Sequence, residues 1–136
     1  MTTRDLFALS KQKGHLYIRP QECGGIPSLS VCLPSGRCAW TVNGRGMKRA
    51  EYRDRVSHEI GHCERGAFYT RISAPTCRGK CEEMARRWQY EKMIGKDALD
   101  AAFRAGLKTT WELAEFFDLP EYLIVGAIHY FEEIRA

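Results

Sequence analysis

The chain has no long hydrophobic run: nothing in it approaches the roughly 18 to 20 uninterrupted apolar residues that a membrane helix needs. A signal-peptide core is missing too, since Met1-Thr2-Thr3-Arg4-Asp5 runs on into Lys11 and Lys13. Cytoplasm is therefore the expected compartment, and no membrane partner is expected. There is no internal repeat and no low-complexity tract. Charge of one sign is also scarce. The net charge of +4 and the pI near 8.8 are mild, and acidic groups interleave with basic ones except around residues 45–55 and 78–87. Direct nucleic-acid binding is thus weakly supported.

What is present is an ordinary folded composition, with 44% apolar and 28% charged residues in 136. That length suits one compact domain, or one domain with a small helical appendage. In a cytosolic chain, six cysteines read as buried thiols or metal ligands rather than as a disulfide framework, although the even count is compatible with an oxidised form.

Hydrophobic spacing predicts a helix over 3–13, with Leu6 and Leu9 on one side, and a strand over 15–19 closed by Pro20. Apolar runs at 29–33 and 37–42 flank Pro34-Ser35-Gly36 and read as an antiparallel hairpin. A helix is expected over 47–65, ended by Gly66 in a left-handed conformation. After a loop containing Ser73, Pro75 and Gly79, a second long helix is expected over 80–94, with Cys81, Met84, Ala85 and Trp88 at helical spacing. Three short helices, near 97–105, 109–117 and 120–134, complete the chain. The fold class is α+β: a small antiparallel sheet packed on helices, with a helical C-terminal part.

The segment His58-Glu59-Ile60-Gly61-His62 lies within the expected 47–65 helix. Two histidines four apart stand one above the other on a helix face, so both imidazoles can approach one ion. Glu59 is turned about 100° from His58 around the axis, where a carboxylate can act on a metal-bound water without ligating the metal. That is the position of a general base. A catalytic zinc takes three protein ligands and leaves a position for water, so a third ligand is needed downstream.

The stretch from His58 to Tyr69, His-Glu-Ile-Gly-His-Cys-Glu-Arg-Gly-Ala-Phe-Tyr, resembles the active-site helix of the ImmA/IrrE-type metallopeptidases. Cys81-Glu82-Glu83-Met84-Ala85-Arg86-Arg87-Trp88 is similar to that family's second helix, and Trp111-Glu112-Leu113-Ala114-Glu115-Phe116-Phe117 to a segment of its phage and mobile-element members. The resemblance, which runs from about residue 37 to the C-terminus and is weak before residue 25, implies a zincin-like active-site helix; the chain reads as a core over 1–95 with a three-helix segment over 96–136 packed on it. It makes Glu82 the third zinc ligand beside His58 and His62, with Glu83 the alternative if the register slips by one. The family's usual acidic or amide residue after the alanine is replaced by Arg86. The implied reaction is hydrolysis of a peptide bond with Glu59 as base, and the implied substrate is a transcriptional repressor of helix-turn-helix type. Tyr69 and His15 are candidate donors to the developing oxyanion.

Two rival readings rest on other residues. Cys77 and Cys81 with His58 and His62 would make a closed Cys2His2 zinc site, structural and without an open position. Residues 107–135 have the rhythm of a helix-turn-helix, but Glu121, Glu132 and Glu133 repel phosphate where a recognition helix attracts it. The remaining cysteines read as buried thiols, or as a Cys32 to Cys38 cross-strand pair. An exposed edge at 37–42 would accept an extended peptide by strand addition. His129 reads as a surface histidine.

Overall fold

A computed structural model describes residues 1–69 and 72–135. Thr70, Arg71 and Ala136, the last of these ending the expected 96–136 segment, lie outside the described residues.

Helix α1 spans Thr3–Gln12 and opens with a reciprocal cap: Asp5 N–H donates to Thr2 Oγ1 at 3.0 Å, and Thr2 N–H to Asp5 Oδ2 at 2.9 Å. The strand expected over 15–19 shortens to β1, Leu16–Tyr17, because Pro20 starts a 3₁₀ turn over Pro20–Cys23. Strands β2 (Ser28–Cys32) and β3 (Cys38–Val42) form the expected hairpin, with Ser30 opposite Trp40.

The sheet order is β1-β3-β2, and it is mixed rather than antiparallel. The chain reverses once between β1 and β2 and again between β2 and β3. Strands β1 and β3 therefore run the same way, and Leu16 pairs with Ala39 in parallel. Nor is 37–42 an edge. All five residues of β3 are buried between two neighbouring strands and the helices, and the edge strands are β1 and β2.

Helix α2 covers Arg49–Arg65 and stops at Gly66, whose φ of 61° is the left-handed cap expected from sequence. Helix α3 covers Pro75–Gln89, starting five residues before the expected Lys80. Pro75 occupies the first turn, where its missing N–H costs nothing, and Gly79 is carried inside the helix. A π-helical turn, Tyr90–Ile94, then leads to Gly95.

Close packing of α2 against α3 is what brings His58 and His62 beside Glu82, and it depends on Gly61. A Cβ at that position would lie 2.9 Å from the Ala85 carbonyl oxygen and 3.2 Å from the Trp88 ring. No real Cβ is accommodated so near a backbone oxygen without separating the helices.

The cysteines depart from expectation. Cys38 and Cys63 form a disulfide that ties β3 to α2, with Cα atoms 5.5 Å apart. Cys38 is buried towards α2, whereas its cross-strand neighbour Cys32 is exposed on the edge strand and remains free.

Helices α4 (Lys96–Arg104), α5 (Thr110–Phe117) and α6 (Glu121–Arg135) fall close to the expected boundaries. Their inward residues, Leu99, Leu113, Leu123 and Ile124 among them, join Trp40, Val56, Ile60 and Trp88 in one continuous core. His129 is exposed on α6. Among the described residues, no helix is long and apolar enough to cross a membrane.

Candidate metal centre

On α2 the side chains of His58 and His62 are both buried, and their rings meet edge to face with centroids 4.8 Å apart. Each Nδ1 faces an oxygen. That of His58 lies 3.0 Å from Gln89 Oε1, and that of His62 lies 2.6 Å from the Ala67 carbonyl. A carbonyl oxygen only accepts, so both Nδ1 atoms carry hydrogen and both Nε2 atoms turn to a common point.

Glu82 reaches that point from α3. Its Oε2 is 2.7 Å from His58 Nε2 and its Oε1 is 3.3 Å from His62 Nε2. The donor atoms of His58, His62 and Glu82 all lie within 4.8 Å of one another. Bonds of about 2.0–2.1 Å in a tetrahedron place ligand atoms about 3.3 Å apart. The two Nε2 atoms are 3.2 Å apart, and His62 to Glu82 matches the same edge. Two neutral imidazoles and a carboxylate thus fit a metal ion.

The other ligand candidates point elsewhere. Glu83 turns outward to an ion pair with Arg87 at 2.7 Å. Cys81 donates to the Phe68 carbonyl at 3.5 Å, and Cys77 is exposed, so neither thiol joins the histidines. The closed Cys2His2 site is not assembled: Cys81 spends its sulfur on the loop after α2.

Sequence reasoning missed the residue that orients His58. Gln89 is completely buried, and its Nε2 donates to the Asp54 carbonyl (2.8 Å), Asp54 Oδ1 (2.9 Å) and Ser57 Oγ (2.8 Å). With acceptors on that side, its Oε1 has to face His58, where it also receives Arg86 Nη1 at 3.1 Å. Arg86 further pairs with Asp54 at 3.2 Å, and the Tyr122 hydroxyl of α6 donates to the same carboxylate. Arg86 therefore stands behind the ligands, bracing the amide that holds one of them. A signal existed: Glu82 and Gln89 are seven apart, on one face of α3.

A cleft of about 250 Å³ opens over the two histidines and Glu82. Edge strand β2 supplies Ser28, Leu29 and Ser30 to one wall, and the loop after α2 supplies Phe68 and Tyr69 to another. Glu59 lines the cleft together with Ser30 yet is only 6% exposed. Burial raises its pKa above the ordinary 4.5, against the lowering by Ser30 and the histidines. Tyr69 donates to Glu82 Oε1 at 2.7 Å, a bond that raises its own pKa. His15 does not line the cleft. It is half-buried, with Nδ1 3.2 Å from Ser10 Oγ and Nε2 3.5 Å from Glu64, so it is not placed to donate to a substrate there.

Hydrogen bonds from His58 and His62 hold the Glu82 pKa far below 4.5. For His62, burial lowers the pKa, but the hydrogen bonds to Glu82 and to the Ala67 carbonyl leave it raised above 6.5. The Glu82 contribution to stability is present above pH 4.5 and lost as pH falls below it. The His62 contribution is full below pH 6.5 and lost as pH rises through the raised value. Metal-free protein is therefore expected to draw most from this pair between pH 4.5 and 6.5. Metal demands unprotonated imidazoles, so the rise in Tm on adding zinc should grow with pH over the same range. Melts with zinc and with chelator from mildly acidic to mildly basic pH test this; a zinc-induced rise that shrinks with pH contradicts it.

Comparison with protein-family models, with curated proteins and with solved structures gives no match.

Proposed function

We propose that the protein is a zinc-dependent peptidase of the ImmA/IrrE type. The observation that carries this reading is the convergence of His58, His62 and Glu82 on one point of a cleft that also holds the buried carboxylate of Glu59. A structural zinc site gives no reason for a buried, polarised carboxylate one residue from a ligand. Zinc is the metal favoured by a two-imidazole, one-carboxylate set that leaves a fourth position open.

Bound zinc would supply a water of lowered pKa and polarise the scissile carbonyl. Glu59 takes the proton from the attacking water and passes it to the leaving amine. Tyr69, whose hydroxyl reaches Glu82 Oε1 in the cleft, would donate that hydroxyl to the developing oxyanion. The Ser30 hydroxyl, lining the same cleft, favours the unprotonated form of Glu59. An extended substrate lies along β2, whose second edge is unpaired among the described residues and which supplies one wall of the cleft. A helix-turn-helix repressor remains the proposed substrate, by resemblance of the chain to the family. A DNA-binding role for α5 and α6 is less favoured, because α6 buries Leu123, Ile124 and Phe131 in the core and opens on Glu121.

The test is zinc stoichiometry together with cleavage of a mixed peptide library read by mass spectrometry. One zinc per chain is expected, with cleavage abolished by chelator and restored by zinc. Failure to bind zinc at micromolar concentration, or cleavage indifferent to chelator, would sink the reading.

A further inference from the structure

Helix α2 carries four arginines, at 49, 53, 55 and 65. Three are engaged. Arg49 pairs with Asp118 at 2.6 Å, Arg53 donates to the Asp118 carbonyl at 2.9 Å, and Arg65 lies 3.5 Å from Glu91. Arg55 is exposed, has no hydrogen bond or ion pair among the described residues, and lines the cleft over the histidines.

Its position on the helix is specific. Three and four residues separate it from His58 and Glu59, so it stands on the same face, one turn nearer the N-terminus. At 1.5 Å per residue, its Cα is about 6 Å along the axis from that of Glu59. An extended peptide advances about 3.4 Å per residue, so Arg55 faces a substrate position about two residues from the bond cut. The same cleft holds two carboxylates. Glu82 is already held by both histidines and by Tyr69, and Glu59 is only 6% exposed. Arg55 is thus the one permanent cation lining the cleft and the only charge there without a partner among the described residues.

We infer that Arg55 is a specificity residue that receives a carboxylate of the substrate about two residues from the scissile bond. The inference rests on the peptidase reading. The carboxylate comes from an aspartate or glutamate side chain, or from the C-terminus of a short peptide; a guanidinium pairs with either through two parallel hydrogen bonds.

The probe is a library of decapeptides blocked at both ends, in which each position in turn carries Asp, Asn or Lys and the rest are randomised. A parallel set has a free C-terminal carboxylate. Cleavage by the zinc-loaded protein should favour Asp over Asn about five- to tenfold at one position near the cut, the size of an ion pair in a half-open site. In Arg55→Gln the ratio should fall to about one. In Arg55→Glu it should turn towards Lys, with zinc content and melting temperature measured on each variant. If instead the free C-terminus gives the advantage, and Arg55→Gln removes it, the ligand is the chain end. Equal rates for Asp and Asn without a chain-end advantage, or a preference surviving in Arg55→Gln, would overturn the inference.

Binding of the same peptides to zinc-loaded Glu59→Gln separates this from the peptidase reading. Asp-selective binding lost with Arg55, when the native zinc-loaded protein cuts none of these peptides, keeps the carboxylate site and discards peptidase action.

Discussion

Glu59→Gln is expected to leave zinc bound and to lower turnover by about a hundred- to ten-thousandfold, the span attributable to one general base. The separation of the two effects follows from geometry. The ligand atoms belong to His58, His62 and Glu82, which gather without Glu59, so the amide removes no bond to metal. What it removes is the group able to accept the proton of the attacking water. The amide keeps the shape of the carboxylate. It also relieves the cost of holding a charge in a position only 6% exposed, so the melting temperature should hold or rise slightly. With wild-type protein, activity should fall as pH drops through the raised Glu59 pKa, because the protonated acid is no base. That acid limb should disappear in the residual activity of the variant. Zinc lost in proportion to activity would contradict the assignment, and so would a variant that retains wild-type turnover.

The features legible in sequence are those set by local spacing. A histidine pair four apart defines a ligand face on any helix, Gly66 announces its own left-handed cap, and Pro34-Ser35-Gly36 forces the hairpin. The α+β class follows from such local signals. Features set by long-range packing were not legible. The parallel pairing of β1 with β3 depends on two chain reversals, not on the pattern of Leu16-Tyr17. The disulfide joins Cys38 to a residue 25 positions away, on a different element, when its cross-strand neighbour Cys32 was the nearer choice. The early start of α3 was hidden because Pro75 and Gly79, read as loop residues, are tolerated at the first turn and inside the helix. Glu82 was reached through a resemblance, and its place beside the histidines depends on the close passage of Ala85 over Gly61.

Gln89→Leu is expected to weaken zinc binding by about ten- to a hundredfold, the usual range for a group that orients a metal-ligating histidine. It should also cost about 2–4 kcal/mol of stability, because the removed amide satisfies several buried atoms at once. In the native chain its oxygen fixes the hydrogen of His58 on Nδ1, leaving the Nε2 lone pair for metal. Its nitrogen is held by Asp54 and Ser57, so Oε1 cannot rotate away. Leucine has the volume but none of the partners, and it leaves the Asp54 carboxylate with Arg86 and Tyr122 alone. Gln89→Glu separates orientation from packing. One carboxylate oxygen can still accept from His58 and Arg86, but the other faces Asp54 as a like charge where a donor stood. Zinc affinity should fall less than in the leucine variant, while stability falls by a comparable amount. Nitrogen-15 spectra of the metal-free proteins read that hydrogen directly: native protein and Gln89→Glu should keep it on His58 Nδ1, and Gln89→Leu should lose it in part. Zinc affinity within twofold of native in the leucine variant would show that His58 is oriented by the helix alone.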